Sequence, residues 1–159
     1  APREVRLPAA GRELAGWAIT VGVPHAVIPC DDDLAGCPIA TLGPPVRRHE
    51  QFGVPGANAN FVRFAGPHEL DIRTWERGVE GETLACGSGV LAAVAAGVAS
   101  GALELPVRAR TKGGFVLTVD GESAGGVITH WTMAGDARIL ARLDSLPGAE
   151  QTLPAQAWE

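Results

Sequence analysis

Cys86-Gly87-Ser88-Gly89-Val90-Leu91-Ala92-Ala93-Val94-Ala95-Ala96-Gly97-Val98-Ala99-Ser100-Gly101 is the stretch whose reading decides the fold. From Gly89 to Ser100 the residues are apolar all the way round a helix, with no polar face to turn toward water, so the helix must be enclosed. Gly101 supplies the stop expected just after a helix C-terminus. No charge occurs from Leu84 to Leu103, a run of about the length that spans a bilayer. It consists mainly of Ala, Gly and Val, with Ser88 and Ser100 inside it. Insertion rewards Leu, Ile and Phe instead. The reading is a buried helix of a soluble protein, with no membrane partner.

Outward from that helix the chain reads as short strands. Ala18–Val21 and His25–Ile28 flank a break at Gly22-Val23-Pro24, and Asn60–Ala65 and Leu70–Glu76 flank a turn at Gly66-Pro67. By the two-residue period Leu70, Ile72, Thr74 and Glu76 share a face, which puts a carboxylate at the end of an otherwise apolar row. Val107–Thr111 leads through Gly113-Gly114 into Phe115–Asp120. Asp120-Gly121 is then read as the turn toward Val127–Met133, whose Val127, Thr129, Trp131 and Met133 share a face. Ala137–Leu143 is a short amphipathic piece of ambiguous type, and the Pro-containing last dozen residues read as a tail. One enclosed helix among many short strands predicts an α+β fold: a curved mixed or antiparallel sheet wrapped around a central helix.

Bulk composition narrows the class. The 159 residues are 46% hydrophobic, enough for one packed domain and too many for disorder. A net charge of −5 with scattered basic residues argues against nucleic acid as a partner. The three cysteines, Cys30, Cys37 and Cys86, make a poor disulfide framework, which points to a reducing cytoplasm. Cys30 and Cys37 have six residues between them and no second Cys/His pair to complete a zinc set, so no metal site is expected. Neither an initiator Met nor a basic-then-apolar leader opens the chain at Ala1, as in a fragment of a longer protein.

The chemistry concentrates where Cys86 meets the helix start. Unpaired N–H groups there stabilise an anion and favour the thiolate, the form that acts as nucleophile or base. Gly87 and Gly89 clear side chains from the point where a ligand would approach, and a carboxylate or phosphate on the N–H groups of Gly87 and Ser88 is the natural companion. The plainer reading makes Cys86 a small buried hydrophobe and the glycines a tight turn. No Gly-Lys-Ser/Thr follows, so this is not a P-loop.

Glu76-Arg77-Gly78, followed by Glu82-Thr83-Leu84-Ala85-Cys86-Gly87-Ser88-Gly89, resembles the second cysteine motif of the diaminopimelate epimerases. Three other pieces occur in that family's order. Gly22-Val23-Pro24-His25-Ala26-Val27 is similar to its Gly-Asn-Pro-His motif. His49 through Phe52 with Asn58-Ala59-Asn60-Phe61-Val62 is similar to its Phe…Asn-Val-x-Phe-Val motif. Lys112-Gly113-Gly114 and Met133-Ala134-Gly135 are similar to its closing strands. The resemblance covers roughly residues 15 to 141. It implies that Cys86 is one of two acid/base thiols facing each other across the substrate's α-carbon. The N–H groups of Gly87 and Ser88 would hold the α-carboxylate. Asn58, Glu76 and Arg77 would bind the polar ends of diaminopimelate, and His25 and Glu76 would tune the thiols and the α-ammonium. The implied reaction interconverts LL- and meso-diaminopimelate, in lysine and peptidoglycan precursor synthesis, without pyridoxal phosphate, metal or other cofactor.

The chain departs from the family pattern in places. Ser88 replaces the usual Thr and Val23 the usual Asn. The first cysteine motif is absent, since Cys30 and Cys37 lack its Gly-rich setting and follow the Pro-His motif instead of preceding it. The resemblance therefore implies that residues 1–145 are the C-terminal domain, that 146–159 form a tail, and that an N-terminal half with the opposing thiol is the partner this chain lacks; a homodimer is compatible with this. Proline racemase-like and phenazine-biosynthesis isomerase-like enzymes are the nearest rivals within the fold. Outside it stand a hydrolase pairing Cys86 with His25, His49, His68 or His130, and a non-catalytic binding domain.

Overall fold

The computed structural model describes residues 1–30, 34–139, 141–142 and 144. Among the described residues nine strands form one mixed sheet that does not close on itself: β1 (Arg3–Ala9), β2 (Arg12–Val21), β3 (Val23–Pro29), β4 (Asn58–Gly66), β5 (Glu69–Glu76), β6 (Gly81–Thr83), β7 (Val107–Thr111), β8 (Val116–Ala124) and β9 (Val127–Ala134). Two α-helices, α1 (Ile39–Arg47) and α2 (Gly87–Ser100), complete it. The strand order is β1-β2-β3-β4-β5-β7-β8-β9, with the short β6 paired to the end of β5. The expected α+β architecture of a sheet around a buried helix is what the structure contains.

Only β3–β4 and β5–β7 are parallel, and a parallel pair needs a crossover. Helix α1 bridges the first and α2 the second. Because β5 runs antiparallel to β4, the usual right-handed crossover puts the two helices on opposite faces of the sheet. The packing agrees. Val27, Val62, Leu70 and Ile72 meet α2 together with Val107, Ala109 and Val119. Ala26, Ile28, Ala59 and Phe61, one residue out of step, meet Ile39, Leu42 and Val46 of α1 and Val5 and Leu7 of β1.

Helix α2 touches β2, β3, β4, β5, β8 and β9, so the sheet curls around it. Val90, Ala92, Ala93, Val94 and Ala96 have no exposed surface. A seam through Ser88, Leu91 and Val98 remains half-buried along the unclosed side. The helix begins two residues earlier than its apolar run predicts, at Gly87, with Cys86 in extended conformation as N-cap and Gly101 in the left-handed conformation as C-cap.

Several local expectations are corrected. The break between β2 and β3 is Gly22 alone, and Pro24 lies inside β3. Asp120-Gly121 does not turn: both residues belong to β8, and the reversal falls at Gly125-Gly126, which carry the positive φ values of 56° and 75°. Gly121 is needed because the His130 carbonyl would overlap a Cβ there. A bulge opposite Glu122/Ser123 skips Thr129 and breaks the alternation expected of β9, so Ile128 is the residue buried against α2. Ala137–Ile139 takes no regular structure; Leu140 and Leu143 lie outside the described residues, as does the tail at 146–159. Helix α1 and strand β1 were not anticipated.

Candidate active site

The sheet face beneath α2 is apolar along most of its length and turns polar at one end. Register explains this. His25 pairs with Asn58 and Val27 with Asn60 across β3–β4, and Asn60 pairs with Thr74 across β4–β5. His25, Asn58, Asn60 and Thr74 therefore share the α2 face, with Glu76 two residues beyond Thr74. All but Glu76 are buried. The N-terminus of α2 sits over this end. A Cβ on Gly89 would overlap Asn60 Oδ1 and lie 3.3 Å from Cys86 Sγ, so thiol, helix start and polar sheet end are packed together.

Asn60 is the hub of the buried groups. Its Nδ2 donates to the Ala26 carbonyl (2.9 Å) and to His25 Nδ1 (3.2 Å), and its Oδ1 accepts from Thr74 Oγ1 (3.0 Å). An Nδ1 that accepts leaves the proton of a neutral imidazole on Nε2, which has no hydrogen-bond partner among the described residues. Burial lowers the His25 pKa to about 4; the Val21 carbonyl opposes this without closing a hydrogen bond to Nε2, and the nearby Arg77 charge reinforces it.

Cys86 is 8% exposed and its Sγ lies 3.6 Å from Ser88 Oγ. The thiol does not cap the helix, and Val90 N–H is the first to bond back, to the Cys86 carbonyl at 3.0 Å. The N–H groups of Gly87, Ser88 and Gly89 thus precede the helical ladder and are available to an anion. Asn58 Oδ1 accepts from the Arg77 backbone N–H at 2.7 Å, so this side chain shapes the Glu76–Arg77 turn. Glu76 and Arg77 do not pair with each other, and among the described residues neither side chain makes a salt bridge.

Two ion-pair clamps hold this segment, and sequence reading missed both. Glu80 bridges Arg47 Nε (2.6 Å) and Arg48 Nη2 (2.9 Å) at the end of α1, while its Oε1 accepts from Gly78 N–H. Glu82 binds Arg73 in a two-pronged pair at 2.6 and 2.9 Å, which lowers its carboxyl below the usual range. Glu82 lies inside the quoted motif and Glu80 between its two pieces, but their arginine partners, at the end of α1 and on β5, are set by tertiary packing. Asn60, quoted within a motif, and Thr74, placed on the face that carries Glu76, are given no role by the sequence reading.

The other histidines are engaged elsewhere. His49 Nδ1 accepts from Gln51 N–H, His68 Nδ1 lies against the Glu104 and Pro106 carbonyls, and His130 pairs with Glu122 on the surface. Among the described residues no histidine hydrogen-bonds to Cys86, so the Cys-His hydrolase arrangement is not formed. No helix among them is long and apolar enough to cross a membrane.

Two expected outcomes follow from this packing. Gly89→Ala should cost about 1–3 kcal/mol, the usual range for overpacking, and displace Asn60 or Cys86; denaturant midpoints and the chemical shifts of the Asn60 side-chain amide report it, and an unshifted amide would contradict the close approach. Stability should also fall in acid through His25. With the folded pKa near 4 and the unfolded value near 6.5, the unfolded chain binds the extra proton between those limits. The loss therefore begins as pH drops below about 6.5, is complete near 4, and amounts to about 3 kcal/mol. Glu82, depressed by its Arg73 pair, loses its contribution only at the acid end of that window and below. Urea titrations from pH 4 to 8 on wild type and His25→Gln should show the slope above pH 5 flattened in the variant; equal slopes would remove His25 as the cause.

Comparison with known proteins fits the same segment. The family model described as diaminopimelate epimerase matches residues 17–139. A diaminopimelate epimerase from Aquifex aeolicus is 41% identical over 120 residues, which is 75% of this chain and 43% of that protein. One from Burkholderia vietnamiensis is 45% identical over 123 residues, 76% of this chain and 41% of the relative. A Geobacillus relative is 37% identical over 136 residues, 86% and 44% respectively. The chain spans about two-fifths of the length of these curated relatives.

Proposed function

Because the chain belongs to the diaminopimelate epimerase family, we propose that it supplies one catalytic thiol, Cys86, to a cofactor-independent, two-thiol epimerisation of LL- to meso-diaminopimelate. The observation that carries this reading is Cys86 as N-cap of α2, directly before unpaired N–H groups and over a sheet end lined by His25, Asn58, Asn60, Thr74 and Glu76.

The chemistry divides among these groups. Backbone N–H groups of Gly87 and Ser88 receive the α-carboxylate, and helix-end charge helps stabilise the negative charge that develops when the α-proton leaves. Cys86 removes or returns that proton on one face of the α-carbon. A second thiol on the opposite face completes inversion. We assign it to an N-terminal half of the same enzyme, with residues 1–145 as the C-terminal domain. The short span of the chain relative to its relatives supports this. So does the exposed apolar surface beside the site: Leu84 (64% exposed) lies two residues before Cys86 and, with Phe115 (49%), against Gly113, while the Cε of Met133 (45%) would lie 3.1 Å from a Cβ on Gly87. Such a surface is what an opposing half would cover. Glu76 and Arg77, free of salt bridges among the described residues, are assigned to the substrate's α-ammonium and distal polar end, with the Asn58 amide beside them.

Substrate selectivity tests this reading. In the enzyme completed by its opposing half, LL-diaminopimelate should be epimerised and L-proline should not. Arg77→Ala should raise KM for diaminopimelate by about tenfold or more, as loss of a charged hydrogen bond worth about 1.5–3 kcal/mol requires. Turnover of proline, or esterase activity abolished by thiol alkylation, would favour a rival function.

A further inference from the structure

The two cysteines outside the site are brought together by the fold. Cys30, just after β3, and Cys37, just before α1, are half-buried with their Sγ atoms 3.4 Å apart. Backbone bonds hold both ends, and the Cys30 thiol also lies 3.9 Å from the Ile28 carbonyl. Cys30 N–H donates to the Val62 carbonyl (2.8 Å), Cys37 N–H to Leu34 (3.3 Å), and Ile39 N–H to Cys37 (2.8 Å). Arg73 braces the segment from β5, its Nη1 donating to the carbonyls of Leu34 and Ala35 (each 2.9 Å) and Cys37 (3.2 Å). Its guanidinium charge is stabilised chiefly by the hydrogen-bonded Glu82. Both cysteines pack with the α1 cluster, on the face of the sheet opposite α2 and Cys86.

We propose that Cys30 and Cys37 are a modification site, forming a reversible intrachain disulfide by exchange with a low-molecular-weight disulfide such as oxidised glutathione. One cysteine thiolate attacks the glutathione disulfide, making a mixed disulfide and expelling one glutathione thiolate; the second cysteine attacks the mixed disulfide, forming the Cys30–Cys37 bond and expelling the other. Two protein thiols are oxidised and one disulfide is reduced to two thiols, with both protons passing to solvent or the departing thiolates. The sulfurs need to close by little more than an ångström to reach bonding distance of about 2.05 Å. The bond ties Cys30 to Cys37 beside Arg73, whose other prongs hold Glu82, four residues before Cys86. Oxidation therefore stiffens the support of the catalytic loop while leaving the Cys86 thiol reduced.

Tryptic peptides separate the cysteines. Cys30 and Cys37 share Glu13–Arg47, and Cys86 falls in Gly78–Arg108. The chain is equilibrated in glutathione buffers from fully reduced to fully oxidised, quenched in acid, alkylated and digested. The expected result is a Glu13–Arg47 peptide that goes from doubly alkylated to unalkylated and about 2 Da lighter as one cooperative step, while Cys86 remains alkylated beyond that step. Cys30→Ser and Cys37→Ser should each abolish the 2 Da loss and leave the remaining cysteine alkylated or singly glutathionylated. Glutathione adducts on both cysteines of the wild-type peptide without the internal bond, two alkyl groups throughout, or a bond from either cysteine to Cys86 would overturn the proposal.

Discussion

Val94→Asp is expected to leave the chain unfolded at neutral pH. Val94 has no exposed surface and sits at the centre of α2 among Val27, Val62, Ile72 and Val107. Burial of a valine side chain is worth about 1.5–3 kcal/mol, all of which is lost. An aspartate there would have to stay ionised without a partner or take up a proton, which costs about 4 kcal/mol at pH 7 and still leaves a buried polar group unpaired. A domain of this kind has about 5–15 kcal/mol of stability in total. Val94→Ala, which only leaves a small cavity, should remain folded at a cost of about 1–3 kcal/mol. Circular dichroism and amide dispersion in NMR spectra distinguish these outcomes. A folded Val94→Asp protein would mean that α2 is not the enclosed core.

Cys86→Ala carries the second large effect. In the proposed two-thiol enzyme it should lower interconversion of LL- and meso-diaminopimelate by at least about 10³-fold, within the range of lost general acid–base catalysis. KM should change little, because the carboxylate is held by backbone N–H groups that the substitution leaves in place. Cys86→Ser should be similarly crippled, since a hydroxyl is much less acidic than a thiol. Single-face proton exchange can survive in both variants, because the opposite thiol removes and returns a proton on its own side. Interconversion within tenfold of wild type would remove Cys86 from the chemistry.

What could be read from the chain follows from how local each feature is. Helix α2 declared itself because an all-round apolar run has no other stable setting, and the thiol before it was visible for the same reason. Helix α1 was hidden. Gly43, Pro44 and Pro45, all poor helix formers, lie inside it, yet Gly43 permits α1 to sit so close to Trp75 that a Cβ would lie 2.6 Å from the ring. Tertiary packing overrides propensity there. The misplaced β8–β9 turn has a similar origin. Asp-Gly is a strong turn signal, but Gly121 serves a close strand approach, and the adjacent Gly125-Gly126 has the required conformation. At the site, Cys86, His25, Asn58, Glu76 and Arg77 all fall at one end of the sheet or its adjoining turn. The Arg73–Glu82 and Arg47–Glu80 clamps, and the Asn60 hub, depend on strand register and on long-range contacts, which no local pattern encodes.

The most direct measurement of the central claim is stereochemical, made in deuterated water with LL-diaminopimelate, on this chain alone and on the same chain joined to a family half bearing the opposing thiol. Inversion needs a base on one face of the α-carbon and an acid on the other, and in the proposed mechanism Cys86 serves one face only. The account predicts that the joined protein converts LL- to meso-isomer with one deuterium at the inverted carbon, and that the chain alone does not invert it. Formation of meso-isomer by the purified chain alone would contradict it.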